Sequence, residues 1–180
     1  MSIRIKMFDQ LRSDYKLHGS SILNPAFWAI CNYHYGVWAF DIRFVPLRWI
    51  ASKIYGLNSF LILITSGIVL NRETKIGKDL HLIHSGNIKI HPNTIIGDRC
   101  GIHQDVNIGI NMEKEGVPTI GNDVYIGAGA KIFGPITIGD GARIAANSLV
   151  IHDVPPGATA IGVPARIMKY TGRQHEVADK

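Results

Sequence analysis

The sequence predicts a mainly β fold, a parallel β-helix of hexapeptide repeats preceded by an N-terminal α-helical segment. Three observations predict it. An aliphatic residue returns at every sixth position in four triplets: Ile76, Leu82, Ile88; Ile96, Ile102, Ile108; Ile120, Ile126, Ile132; Ile138, Ile144, Val150. Each triplet opens with Ile-Gly, at Ile76-Gly77, Ile96-Gly97, Ile120-Gly121 and Ile138-Gly139. The position four past each aliphatic is apolar or small, as at Leu80, Gly86, Cys100, Val106, Val124, Ala130, Ile136, Ala142 and Ser148. A helix would repeat at about 3.6 residues and a lone strand at about 2. A period of six fits three short flat faces, each closed by a corner, wound into a triangular solenoid. Even spacing keeps both apolar positions on one side of an extended chain, so each face sends one large and one smaller side chain inward. Gly97-Asp98, Gly121-Asn122 and Gly139-Asp140 fall at corners, where residues tolerant of unusual backbone angles are expected. Successive turns should stack at about 4.8 Å.

Taken in order, residues 1–60 read as the helical segment. Pro25 and Pro46 break a run of aromatic and aliphatic residues from Ile22 to Ile54. Asn24-Pro25 is a helix entry, the Asn capping and the Pro at the first helical position. Residues 61–169 form the β-helix. The stretch Phe60 to Leu70 is apolar but too short to span a bilayer. Two interruptions break the ladder. The step from Ile88 to Ile96 is eight residues, which places a two-residue bulge at Ile90-His91-Pro92. The step from Ile108 to Ile120 is twelve, so residues 110–118 are extruded. Surface insertions of this kind carry binding functions. Val154-Pro155-Pro156-Gly157 is a turn, and residues 170–180 are a polar tail.

At 180 residues the chain is one domain, or one plus a helical extension. Net charge is +5, with +4 in residues 1–60, where seven Lys/Arg face three Asp/Glu. The charges are scattered, which fits a solvated surface better than a nucleic-acid interface, and no nucleic-acid partner is expected. Cys31 and Cys100 supply neither a disulfide framework nor a metal-type spacing. The N-terminus, MSIRIKMFDQ, has no apolar signal core, so the expected location is cytoplasmic. The aromatics of residues 27–49 are candidates for packing on the coil, for pairing with another subunit, or for a peripheral membrane contact.

The ladder, the extruded loop, the IHDVPPG turn and the GVPARI ending resemble the acyltransferases of the hexapeptide-repeat superfamily. Within it, IHSGNIKIHPNTIIGDRCGIHQDVNIG resembles the serine acetyltransferase branch, and NPAFWAICNYHYGVWAF is similar to its polysaccharide-associated members. The resemblance implies a left-handed coil, against the usual right-handed crossover rule. It also implies a homotrimer with acetyl-CoA in the groove between subunits.

Acetyl transfer to a hydroxyl needs a base for the alcohol proton, and histidine suits it. Of eight histidines, the resemblance selects His84, in Ile83-His84-Ser85-Gly86, as catalytic. Its residues agree in part: His84 lies two past Leu82, near a corner, with small neighbours. At twenty residues per turn it is expected to stack beneath Gln104, then Ala128 and Ala146. His103, Gln104 and Asp105 are the candidate acceptor-binding residues. A metal site built from His81, His84 and His103 is the alternative use of this cluster; no metal-type ligand spacing supports it, so none is expected.

The resemblance places the pantetheine arm along Ala128 and Ala146. It places the nucleotide end at Ile151, His152, Arg166 and Lys169, of which the last two suit phosphate by charge. Departures from the serine enzymes bear on the acceptor. Ile83 stands where they have aspartate, Gly116-Val117 where they have Arg-His before the proline, and Val69 where they have an acidic partner for the histidine. The residues that would pair a free amino acid's two charges are therefore missing. The expected acceptor is a saccharide hydroxyl, with serine O-acetylation and a non-catalytic trimeric scaffold as the competing readings.

Overall fold

In the computed structural model, residues 3–168 are described. Three helices come first: α1 (Ile3–Leu17), α2 (Pro25–Phe40) and α3 (Val45–Ser66). Asn24 caps α2 through a side chain that accepts from the Ala26 amide, with Pro25 at the first position. α3 opens without a side-chain cap, with Pro46 as its second residue, and Gly67 ends it at φ 68°, the left-handed conformation that glycine adopts without penalty. The helical segment therefore runs to Ser66, beyond the boundary expected at residue 60. The apolar run after Phe60 is the last turn and a half of a 22-residue helix, long and apolar enough by itself to cross a bilayer.

Fourteen short strands follow among the described residues. They are β1 (Lys75–Ile76), β2 (His81–Leu82), β3 (Lys89–Ile90), β4 (Ile95–Ile96), β5 (Gly101–Ile102), β6 (Asn107–Gly109), β7 (Thr119–Ile120), β8 (Tyr125–Ile126), β9 (Lys131–Phe133), β10 (Thr137–Ile138), β11 (Arg143–Ile144), β12 (Leu149–Val150), β13 (Thr159–Ile161) and β14 (Arg166–Met168). They sort into three parallel faces, β1-β4-β7-β10, β2-β5-β8-β11-β13 and β3-β6-β9-β12, with β14 antiparallel on β13. This is the predicted triangular solenoid. Its core is the aliphatic ladder, in which Leu82, Ile102, Ile126 and Ile144 stack on one face and are essentially inaccessible. Ala26, Ala29, Ile30 and Tyr33 of α2 close one end of that core.

Two expectations change. The third inward residue of the first triplet is Ile90, which pairs with Ile108, and not Ile88. The spacing is equally regular from Leu82 to Ile88 and from Ile90 to Ile96, and both isoleucines are buried, so sequence counting misplaced the surplus pair of residues. It lies between β2 and β3, upstream of Ile90-His91-Pro92. The second change concerns the Ile-Gly corners. Gly77, Gly97, Gly121 and Gly139 are not among the positive-φ residues; Asp79, Arg99, Asp123 and Gly141, two positions later, are. The corner glycines answer to crowding between turns instead: a Cβ at Gly77 would meet the Gly97 carbonyl oxygen at 2.7 Å.

Candidate active site

The corner between β2 and β3 breaks the repeat. β2 pairs with β5 twenty residues on, at His81↔Gly101, whereas β3 pairs with β6 eighteen residues on, at Lys89↔Asn107. The Asp105 amide donates to the Gly86 carbonyl at 2.9 Å, as the Gly129 and Asn147 amides donate to Gln104 and Ala128 on the turns above. Gly86 thus stacks beneath Gln104, and a Cβ on Gly86 would lie 3.7 Å from the Gln104 Cβ. The expected position of His84 directly beneath Gln104 is corrected accordingly. His84 and Ser85 are the surplus residues, both exposed, displaced from the stacked column by the bulge.

The bulge brings His84 to other imidazoles. Its ring lies 5.3 Å from that of His103. His103 Nε2 is 2.6 Å from the Tyr125 hydroxyl, and the Arg143 guanidinium sits 5.3 Å above the Tyr125 ring. His81, Gly101, Tyr125 and Arg143 share one outward column, and Gly101, lacking a side chain, leaves space between His81 and Tyr125. Behind His81 is His18, buried at the end of α1, with ring centroids 5.3 Å apart. His18 Nε2 accepts from the Leu82 amide at 3.1 Å, so its proton is on Nδ1, which donates to the Asp14 carbonyl at 2.7 Å. The buried Asp14 carboxylate meets His34 Nε2 at 3.0 Å. Polar contacts therefore tie α1 and α2 to β2. Tyr125 and Arg143 were not singled out from the sequence, although each directly precedes a ladder isoleucine and so points outward; nothing in the repeat signals His18 and Asp14, because no repeat relates α1 to the coil.

Burial pushes the His81 pKa down, and the neighbouring His18, His103 and His84 add to it; burial and then His84 push His103 down. Crowded imidazoles resist protonation, and the neutral imidazole is the form that takes a proton. None of the ion pairs among the described residues involves His84. Glu73, on the first turn of the coil, pairs with Arg72 at 3.3 Å. Asp105 adjoins the bulge through its backbone, and its carbonyl takes the Lys131 ammonium. Gln104 Oε1 is buried without a hydrogen bond of ordinary geometry, although the Gln104 side chain is near enough to His103 to favour its protonated form against the larger effects of burial and His84. No three His, Cys, Asp or Glu side chains converge as a metal would require among the described residues.

Above Gln104 the column narrows to Ala128 and Ala146, flanked by Gly127, Gly129 and Ala145. The Ala146 side chain is exposed, so the track is open to a thin ligand along its backbone. Gly162 continues it, its amide bonded to Ser148 Oγ at 3.1 Å. Ile151 is half-buried and His152 exposed, just past β12. Arg166 is exposed on β14 opposite Ile161, and the Ala165 amide ties that strand to the Leu149 carbonyl at 2.8 Å. Lys169 lies outside the described residues. The 110–118 loop leaves the prism between β6 and β7, one face away from His84, with Met112 96% exposed at its tip.

Comparisons with known proteins agree with this fold. Residues 118–152 match the family model described as bacterial transferase hexapeptide (six repeats). A serine acetyltransferase from Synechococcus elongatus is 31% identical over 179 residues, covering 92% of this chain and 70% of that protein. One from Helicobacter pylori strain J99 is 41% identical over 103 residues, 56% of this chain and 60% of the relative. Among solved structures, a serine acetyltransferase in complex with cysteine superposes with a TM-score of 0.76 at 27% identity, over 91% of this chain and 70% of that one. Another, in complex with CoA, gives 0.72 at 26% identity over 88% and 66%. The shared fold is the left-handed parallel β-helix with N-terminal helices. By its ladder, its interrupted corner and its kinship with these enzymes, the chain belongs to the hexapeptide-repeat β-helix acyltransferase family, where its relatives are serine acetyltransferases.

Proposed function

We propose that this chain is an acetyl-CoA-dependent O-acetyltransferase with His84 as general base. The observation that carries the reading is the two-residue bulge: it sets His84 beside His103 at the foot of the Gln104–Ala128–Ala146 track. In the proposed reaction the neutral His84 imidazole removes the acceptor hydroxyl proton as the oxygen attacks the thioester carbonyl. The tetrahedral intermediate collapses, and the departing CoA thiolate regains that proton from the imidazolium. His103, steadied by Tyr125, faces the acceptor side with Gln104 and Asp105. The thin pantetheine arm follows Ala128 and Ala146, and the nucleotide end meets Ile151, His152, Arg166 and Lys169. A homotrimer, with acetyl-CoA in the groove between neighbouring subunits, completes the proposed site.

Serine is the first acceptor to test, because it is the substrate named for every relative above; none of them supports a saccharide. A saccharide stays as the second reading on one specific observation. Around His84 stand Ile83 and imidazoles, and the cations near the corner are engaged, Arg143 over the Tyr125 ring and Lys131 on the Asp105 carbonyl. That surface offers little to pair the ammonium and carboxylate of a free amino acid. CoA release with serine, simple sugars and nucleotide sugars, each supplied with acetyl-CoA, decides between them. Turnover confined to serine removes the saccharide reading; turnover confined to sugars removes serine.

The rate should also depend on acidity in one direction. A proton on His103 places a positive charge beside His84, so kcat/KM is expected to fall as pH drops through the lowered His103 value, which lies below the ordinary imidazole value of about 6.5. Stability follows the same sign. His81 and His103 bind protons less well folded than unfolded, so their contribution is complete above the unfolded value and is lost as pH falls through their lowered folded values. Thermal melts between pH 7.5 and pH 5, on the parent and on His103→Gln, measure it; the variant should show the weaker dependence.

A further inference from the structure

Helix α3 meets the protein largely through small and polar residues, with Ile62 as the apolar exception, while most of its exposed surface is apolar. Its inner side is hydrogen-bonded: Asn32 donates to Ser59 Oγ at 2.8 Å, Arg72 donates to Ser52 Oγ at 3.0 Å, and the Tyr55 hydroxyl donates to the Leu70 carbonyl at 3.2 Å. Ala51 is the one residue of α3 that is buried. Its outer side carries Leu47, Trp49, Ile50, Leu57, Phe60 and Leu63, which are 42–63% exposed. These spread over roughly 200° of the helix circumference at about 3.6 residues per turn. A helix of a water-soluble domain shows the opposite arrangement, an apolar stripe inward and a polar face outward. Small and polar residues between helices, with large apolar ones outside, is the pattern of helices surrounded by hydrocarbon. The surface extends onto the start of α2, where Leu23 and Trp28 border an open, mostly apolar groove of about 540 Å³ against Leu61.

Charge selects the occupant. From Ile42 to Arg72 the chain carries Arg43, Arg48, Lys53 and Arg72 and no Asp or Glu. Arg43, Arg48 and Lys53 are exposed, and the Lys53 ammonium sits 5.5 Å above the Trp49 ring. A second copy docked by two-fold symmetry would set these cations against themselves. An anionic lipid surface pairs them, while tryptophan and the lysine stem lie at the boundary between headgroups and acyl chains. Although α3 is long enough to cross a bilayer, its Ser52–Tyr55–Ser59 side is bonded to α2 and to the first turn of the coil, which holds it along the protein surface. We infer that α3, with the start of α2, docks this protein on an anionic membrane surface, α3 lying in the plane of the interface with its apolar side in the acyl boundary. This inference is independent of the acceptor.

Flotation of the full chain with phosphatidylcholine vesicles, with and without phosphatidylglycerol and at low and high salt, tests it. Binding to the phosphatidylglycerol vesicles is expected to exceed that to phosphatidylcholine alone by about tenfold or more at low salt, and to weaken at high salt. Leu57→Glu with Phe60→Glu should reduce it at least about tenfold with helix content unchanged by circular dichroism, since both side chains are exposed. Arg48→Glu with Lys53→Glu should abolish the preference for phosphatidylglycerol, and Met112→Glu on the distant loop should leave vesicle binding unchanged. A parent chain that floats with neither vesicle overturns the inference, as does undiminished binding by the Leu57/Phe60 variant. A loss of oligomer mass in that variant, in a chain that never floats, assigns the face to a second copy instead.

Discussion

Replacing His84 by alanine is expected to lower kcat by about 10²–10⁴-fold while acetyl-CoA still binds, the range for removal of a positioned general base. In free-energy terms this is about 3–5 kcal/mol of transition-state stabilisation. The fold should survive, because His84 is exposed on a bulge and contributes nothing to the ladder core. The donor KM should hardly move, because Ala128 and Ala146 belong to the turns above. The neighbouring imidazole supplies the control. His103→Gln keeps a hydrogen-bonding group near the Tyr125 hydroxyl but removes a titrating ring, and should cost far less than the loss of His84. Near-normal turnover in His84→Ala together with a dead His103→Gln would transfer the base to His103, which lies within 5.3 Å and has its pKa held down by burial and by His84. Loss of CoA binding in His84→Ala would point to a collapsed corner.

The solenoid was legible because its physics is periodic. Each face of each turn buries one large and one smaller side chain, so every sixth residue must be aliphatic, and the sequence records that constraint repeatedly. Where the period fails, so does the reading. Two isoleucines, Ile88 and Ile90, are both buried, so the surplus residues could be placed on either side of them by counting; only the pairing of Ile90 with Ile108 puts them at His84. That shift matters, because it turns His84 from one member of a stacked column into a projecting group. The His103–Tyr125–Arg143 cluster was half visible, as outward positions of one face. The supports behind it were hidden: the contact of His18 with the Leu82 amide spans 64 residues and obeys no repeat. The apolar outer side of α3 was hidden for a different reason. Its composition is that of an ordinary buried helix, and only the structure shows which side the protein uses.

Gly97→Ala should be among the most damaging single-methyl changes in this molecule, although its backbone has no need of glycine's freedom. A Cβ there would lie 2.6 Å from the Gly121 carbonyl oxygen and 2.6 Å from Asn122 Oδ1. The first atom is backbone and cannot step aside without separating two turns of the coil. The second is committed, since Asn122 Oδ1 accepts from the Asp98 amide at 2.9 Å. That bond is one of a ladder in which Asp98 Oδ1 takes the Lys78 amide and Asp140 Oδ1 takes the Asn122 amide, each at 2.7 Å. The methyl group therefore forces either a backbone shift or the loss of a corner bond. Overpacking of this kind costs about 1–3 kcal/mol, and more where the neighbour is rigid, or roughly 2–4 °C of melting temperature per kcal/mol for a chain of this length. Gly56→Ala is the matched comparison: Gly56 lies inside α3 with nothing within 4 Å of a Cβ, so alanine should raise stability by up to about 1 kcal/mol through helix propensity. Opposite signs from the same chemical change would show that the Ile-Gly motif is kept by the close approach of successive turns. Equal and small effects would mean that the corners relax, and that hydrogen bonding and the aliphatic ladder alone set the rise of the coil.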